Sequence, residues 1–216
     1  MKRRSGEGEV NARERILKAA REVFSQHSYK AASTRLVARQ AGVEHPLIHY
    51  YFGSKEKLFE AMTESIYGDV IRDQESWLKG LERMTPREGL SLFLDRMLDY
   101  TFANSDVLRI SALNMVHIGR IEEIPGYRFV ILNMARMRRA LEEKLPLQGS
   151  SREIEMFIYT FYSLMVSLIG TKSCHSQLLN MDPDGPEYRA WVKDACMTLF
   201  LPWLEKLLPS RTRSAG

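Results

Sequence analysis

Helix-start signals recur along this chain, and no run alternates apolar and polar residues with a period of two. Thr85-Pro86-Arg87-Glu88 and Ser150-Ser151-Arg152-Glu153 each place a carboxylate three residues after a hydroxyl. The hydroxyl can accept from the third residue's N–H, and the carboxylate from the first residue's N–H. Asn11 and Glu14 have the same spacing, and Pro46, Pro86 and Pro186 suit first helical turns, where an N–H is unpaired anyway. Gly42, Gly53 and the Ile124-Pro125-Gly126 break punctuate the rest. These signals confine the chain to an all-α fold of about nine helices. The expected helices start at Asn11, at Ser33 or Thr34, at His45 and at Ser54, the last running to about residue 80. Beyond them lie helices over about 86–103, 105–119, 127–145, 151–179 and 186–208, the last bent or interrupted at Pro202. The expected organisation is a flexible basic arm over 1–10, a small helical domain over 11–55, a larger one over 56–208 and a disordered tail over 209–216.

Charge separates the two domains. Residues 1–60 hold 12 Lys and Arg against 7 Asp and Glu, whereas residues 61–216 hold 19 against 20. A basic end on a near-neutral body suggests an anionic partner there, most simply nucleic acid. No run of 18 apolar residues and no secretory h-region occurs, so neither a membrane span nor export is expected, and the expected location is cytoplasmic. Cys174 and Cys196 are far apart in helical patterns and read as two small buried side chains.

The basic end contains VEHPLIHYYFGSK, residues 43–55. On a helix Ile48 and Phe52 share one side, while Pro46, Leu47, His49 and Tyr50 point the other way. With the preceding RLVARQAG it forms a helix-turn-helix pattern, in which Val37, Ala38, Ala41, Val43 and Ile48 pack across a tight turn. The outer face of the second helix then suits the major groove, about 12 Å wide. Leu47 would meet a thymine methyl. His49, Tyr50 and Tyr51 would donate to phosphates, and Lys55 adds charge at a helix N-terminus.

Residues 16–62 resemble the DNA-binding domain of the tetracycline-repressor (TetR) family of transcriptional regulators. The resemblance lies in I-L-x-A-A-x-x-x-F, Tyr29, S-T-R-x-x-A-x-x-A-G-V and Y-x-F-x-S-K-x-x-L-F, in order and spacing. It implies that Ser33, Thr34 and Arg35 start a helix against the DNA backbone, with Arg35 able to reach a base. It also implies that His45, Pro46 and Leu47 face bases, and that His49, Tyr50 and Lys55 hold phosphates. His49 stands where the family usually has tyrosine, and Pro46-Leu47 replaces a frequent Gly-Thr, so the operator sequence does not transfer from relatives.

For the larger domain the resemblance implies inducer binding and dimerisation. Met and aromatic residues recur there at helical spacing, as core or as the lining of a pocket for an apolar or amphipathic molecule. The candidate effector residues are Met97, Tyr100, Asn114, His117, Met134, Phe161, Tyr162 and Met165. The candidate dimer residues are Phe157, Leu164, Trp191, Leu199 and Trp203, on the last two long helices, which would pair with their copies as a four-helix bundle. His45 and His49 have the spacing of two zinc ligands, but the acid of H-E-x-x-H and a third ligand are missing, so no metal is expected. No catalytic constellation or cofactor motif stands out, and no enzyme activity or cofactor is expected. The partners expected are an operator duplex, a small-molecule effector of unknown identity and a second copy of the chain, which would act as a repressor released by the effector. The alternative is a helical ligand-binding or scaffold protein whose helix-turn-helix reads no specific operator.

Overall fold

The computed structural model describes residues 4–115 and 123–209, with side chains from Ala12 onward. The described residues form ten α-helices and one short 3-10 helix, with no strand. The helices are α1 (Arg4–Gln26), α2 (Thr34–Ala41), α3 (His45–Phe52), α4 (Lys55–Trp77), α5 (Pro86–Ala103), α6 (Ser105–Met115), α7 (Tyr127–Lys144), α8 (Ser151–Gly170), α9 (Lys172–Leu179) and α10 (Pro186–Leu207); the 3-10 turn is Leu81–Arg83. The chain divides into two compact units. One comprises residues 1–69 and 106–131, the other 70–105 and 132–216. Helix α4 therefore gives its residues 55–69 to the first unit and 70–77 to the second.

Two capping boxes form as the spacing requires. Thr85 Oγ1 accepts from Glu88 N–H at 3.3 Å, and the Glu88 carboxylate accepts from Thr85 N–H at 3.0 Å. Ser150 and Glu153 do the same at 3.3 and 3.0 Å, and the Ser150 N–H, then its hydroxyl, then Lys206 hold the Glu153 carboxyl below its ordinary range. Elsewhere the boundaries differ from expectation. α1 begins at Arg4, ahead of Asn11. The expected helix over 151–179 is two helices, which raises the count from nine to ten. The break is at Thr171, whose hydroxyl turns back to the Ser167 carbonyl at 2.6 Å while its backbone leaves helical geometry at φ −117°, ψ 28°. α10 runs uninterrupted through Pro202.

In the first unit α1 turns Ile16, Ala19, Ala20, Val23 and Phe24 inward, against Val37 and Ala38 of α2, Ile48 and Phe52 of α3, and Leu58, Phe59 and Met62 of α4. Phe24 and Phe59 meet edge to face at 4.7 Å, with Tyr29 beside Phe59 at 5.1 Å. α6 belongs to this unit although 85 residues of sequence separate it from its partners. The Arg21 guanidinium grips both oxygens of Asp106, and Asn114 Oδ1 accepts from the Tyr29 N–H at 2.8 Å. Gly126, at φ +77°, lies against α4, and a Cβ placed on it would come within 2.9 Å of Thr63.

In the second unit α5 and α8 pack on α10. Leu94, Met97, Leu98, Ile158, Met165, Ile169, Val192, Phe200 and Leu204 form the interior. α8 is long and apolar enough, by length and composition, to cross a bilayer. Its Ile154, Ile158, Met165, Val166 and Ile169 are buried within the protein. Tyr188 is fully buried and donates to the Leu168 carbonyl at 2.6 Å; burial, then the neighbouring Cys174, pushes its pKa up to about 12. The cysteines differ from the expectation of two buried thiols. Cys196 is enclosed by the α10 packing, and burial pushes its thiol up to about 12, whereas Cys174 is exposed on the short α9.

A thiol reagent should therefore modify Cys174 at once and Cys196 only on unfolding; rapid modification of both in the native protein would contradict this packing. Gly126→Ala meets both the left-handed backbone and Thr63. It should lower stability by roughly 2–4 kcal/mol, read from the urea midpoint, and an unshifted midpoint would refute the close approach.

Candidate nucleic-acid interface

α2 and α3 are eight residues each, too short to persist alone, so caps and packing must hold them. Ser33 Oγ accepts from the Leu36 N–H at 3.2 Å and starts α2. Gly42 ends it at φ 64°, ψ 41°, a left-handed conformation open to glycine at little cost. The Val43 N–H returns to the Ala38 carbonyl at 3.0 Å, closing the turn. Glu44 is extended, as a residue ahead of the Pro46 start should be, and α3 follows. Ser54 Oγ then accepts from the Lys57 N–H at 3.1 Å and starts α4.

The orientation of α3 follows from two inward side chains, Ile48 at 0% and Phe52 at 7% exposure. Pro46, His49 and Tyr50 are consequently exposed, Tyr50 at 71%, while His45, Leu47 and Tyr51 are half-buried. Tyr51 lies between its neighbours, its ring 5.1 Å from that of Tyr50 and 6.4 Å from that of Phe52. Thr34 has a partner that spacing did not suggest: its Oγ1 shares a hydrogen bond with His45 Nε2 at 2.9 Å, joining the starts of α2 and α3. His45 and His49 stand edge to face at 5.2 Å, and His49 Nδ1 bonds to the Gly53 carbonyl at 3.0 Å. Ser33 and Arg35 are exposed at the start of α2. The Lys55 ammonium sits over the Tyr29 ring at 4.6 Å and near the Lys30 carbonyl at 3.5 Å. Partial burial lowers its pKa. Tyr29 shifts upward, by burial first and then by Glu56 and Glu60. Exposed rings, a short apolar edge and cations at two helix starts make a surface suited to a duplex groove and its phosphates. Among the described residues no three potential metal ligands cluster.

The residues singled out as effector candidates separate. Met97, Tyr100, Met134, Phe161, Tyr162 and Met165 all lie in the second unit. Tyr100 packs on Trp77 at 5.4 Å, Phe161 lies between Phe93 at 5.9 Å and Phe200 at 5.1 Å, and Tyr162 packs on the cluster of Met134, Ile154 and Ile158. Met97 and Met165 are buried. His117 lies outside the described residues. Asn114 belongs to the first unit, with both ends of its amide engaged: Oδ1 on Tyr29 N–H and Nδ2 on the Ile110 carbonyl at 2.7 Å. Its buried polarity thus serves the N-terminal fold.

A polar pair that the sequence reading missed occupies the second unit. Gln74 Nε2 donates to Asn133 Oδ1 at 2.8 Å, both side chains buried, between α4 and α7. Its signal was present: Gln74 interrupts the inward row Tyr67, Val70, Trp77, and Asn133 the row Val130, Met134, Met137. Of the dimer candidates, Leu199 is 58% exposed and Leu164 half-buried. Phe157 is partly engaged inside, 5.4 Å from Phe200 and 5.5 Å from Trp203, and Trp191 stacks on Tyr188 at 6.1 Å. Met156 and Tyr159 on α8, at 51% and 53%, are exposed and had not been singled out.

Residues 16–62 match the model of the bacterial regulatory proteins of the tetR family. The transcriptional repressor NicS of Pseudomonas putida is 33% identical over 107 residues, half of each chain. The repressor AcnR of Corynebacterium efficiens is 40% identical over 58 residues, 27% of this chain and 31% of that one. The chain thus matches no more than about half the length of these relatives. Among solved structures, the regulator FadR of Bacillus subtilis, in complex with stearoyl-CoA, has a TM-score of 0.62 at 17% identity, covering 87% of this chain and 96% of that one. That likeness is one of fold.

Asn114→Ala would strand the Tyr29 N–H and remove the donor to Ile110. It should cost about 1–3 kcal/mol in chemical denaturation, and a change near zero would show that water replaces both bonds.

Proposed function

Since the chain belongs to the TetR family of regulatory proteins, we propose that it is a ligand-responsive transcriptional repressor. In this reading it binds a palindromic operator as a homodimer and leaves it when a small apolar or amphipathic effector binds. The observation that carries this is the outward face of α3, fixed by Ile48 and Phe52 and flanked by Lys55 and Arg35. His45, Pro46 and Leu47 meet base edges. His49, Tyr50, Tyr51 and Lys55 meet phosphates, and Ser33, Thr34 and Arg35 bring the start of α2 to the backbone of the duplex. A twofold dimer carries two such faces, and half-sites on one side of the duplex lie about 34–36 Å apart or a multiple of that.

The exposed apolar side chains Met156 and Tyr159 of α8 and Leu199 of α10, beside half-buried Leu164, Trp191 and Trp203, favour these helices as the dimer face. The effector site lies in the second unit, where Met97, Tyr100, Met134 and Phe161 offer apolar contact and the Gln74–Asn133 pair offers neutral hydrogen bonding. The stearoyl-CoA bound to FadR is compatible with a long apolar effector. Effector and operator act against each other if each favours a different conformer, and each then weakens the other's binding by the same factor.

Selection of duplexes from a random pool by the purified protein, at about 150 mM salt, tests the reading. A pseudo-palindrome is expected. Lys55→Ala should weaken all duplexes alike and reduce the salt slope by about one per bound subunit, while Leu47→Ala should relax the preference at one position of each half-site. Equal affinity for every duplex at matched salt would overturn operator reading.

A further inference from the structure

Two amides meet in the interior of the second unit, joined by one hydrogen bond. Gln74 on α4 is 8% exposed and Asn133 on α7 is 4% exposed, and both belong to that unit. The bond uses Gln74 Nε2 and Asn133 Oδ1. The other half of each amide, Gln74 Oε1 and Asn133 Nδ2, makes no hydrogen bond to a described residue. Turning both amides end for end keeps the bond and again leaves one acceptor and one donor. The pair therefore has both characters to offer, whichever way the amides face. The other buried polar groups of this unit are spent nearby. Thr101 Oγ1 turns to the Met97 carbonyl at 2.9 Å, Ser176 Oγ to the Ser173 carbonyl at 3.3 Å, and the Tyr188 hydroxyl to the Leu168 carbonyl. No Asp, Glu, Lys, Arg or His is buried among the described residues of the unit. Apolar groups flank the pair. Trp77, one turn on from Gln74, packs on Phe93 at 6.4 Å and Tyr100 at 5.4 Å, and Met134, next to Asn133, clusters with Ile154 and Ile158.

We propose that Gln74 and Asn133 select an uncharged effector that carries a carboxamide or lactam on an apolar body. The effector N–H donates to Gln74 Oε1, and its carbonyl accepts from Asn133 Nδ2. This names the chemistry of the effector site proposed above and rests on it. Burying amides with bonds unmade costs stability, and a ligand that supplies the missing partners recovers that cost. An ester supplies only the acceptor and leaves Gln74 Oε1 unmet. A carboxylate supplies acceptors and an ammonium group donors, and each brings a charge that no buried group of the unit balances.

Calorimetric titration of the wild-type protein with octanamide and naphthamide, against the methyl esters, carboxylates and primary amines of the same two bodies, tests this. At least one amide should bind, its ester roughly tenfold more weakly, and the ions more weakly still. Asn133→Asp keeps an acceptor for Gln74 Nε2 and removes the free donor, so both remaining atoms of the pair accept. That variant should lose about tenfold in amide affinity and turn its preference to the primary amine, a reversal that a merely structural role would not produce. An ester or carboxylate that binds the wild-type protein as tightly as its amide overturns the amide preference and leaves an effector site standing. An amide preference unchanged in folded Asn133→Asp overturns it equally, by placing recognition elsewhere. Binding of none of the probes overturns this proposal and the apolar effector site together. The wild-type comparison decides the matter even where the variant does not fold.

Discussion

The N-terminal unit depends on contacts made by a segment that the chain reaches only after eighty further residues. Asn114 of α6 receives the backbone N–H of Tyr29, and Asp106 receives Arg21. Tyr29 stands between α1 and α2, beside Phe24 and Phe59 and beneath the Lys55 ammonium. One amide oxygen thus fixes the loop whose ring supports a cation of the proposed DNA face. The described residues up to Asp69 and the α6 region form one compact unit. A change in α6 therefore alters what α1 and the α1–α2 loop rest on, without passing through α3.

Much of this was legible in the sequence, for local reasons. The capping boxes at Thr85 and Ser150, the left-handed Gly42 and the inward pair Ile48 and Phe52 are decided by neighbours within four residues, which spacing reports directly. What escaped was decided at a distance. Asn114 resembled a polar group inside an apolar pocket, because sequence shows that a residue will be buried and not which unit buries it. The Gln74–Asn133 pair needed two helices to be seen together, 59 residues apart. Thr171 ended α8 through a side-chain bond to its own preceding turn, which the expectation of one helix over 151–179 did not include. Cys174, expected inside a helical pattern, is exposed on the short α9.

The second unit shows why its candidates are harder to assign. Its rings form a near-continuous series from Trp77 through Phe93 and Phe161 to Phe200, with Phe157 and Trp203 at the end. Each ring in such a series is both a core contact and a potential wall for a ligand, and repeated Met and Phe at helical spacing serve either purpose. Neutral polar groups are more informative there. Gln74 donates one hydrogen bond to Asn133, and any ligand that separated them would have to return a hydrogen bond to both.

The short α3 also bears on how such a protein could change over generations. Ile48 and Phe52 are its two buried residues, so most of its other positions can be exchanged without opening the hydrophobic interior. In the proposed reading, stability and target choice are thereby encoded by different residues on the same two turns. A lineage could wander through many operator sequences while its fold stayed under unchanged selection. Substitutions such as Pro46-Leu47 are the kind of local history that this separation permits.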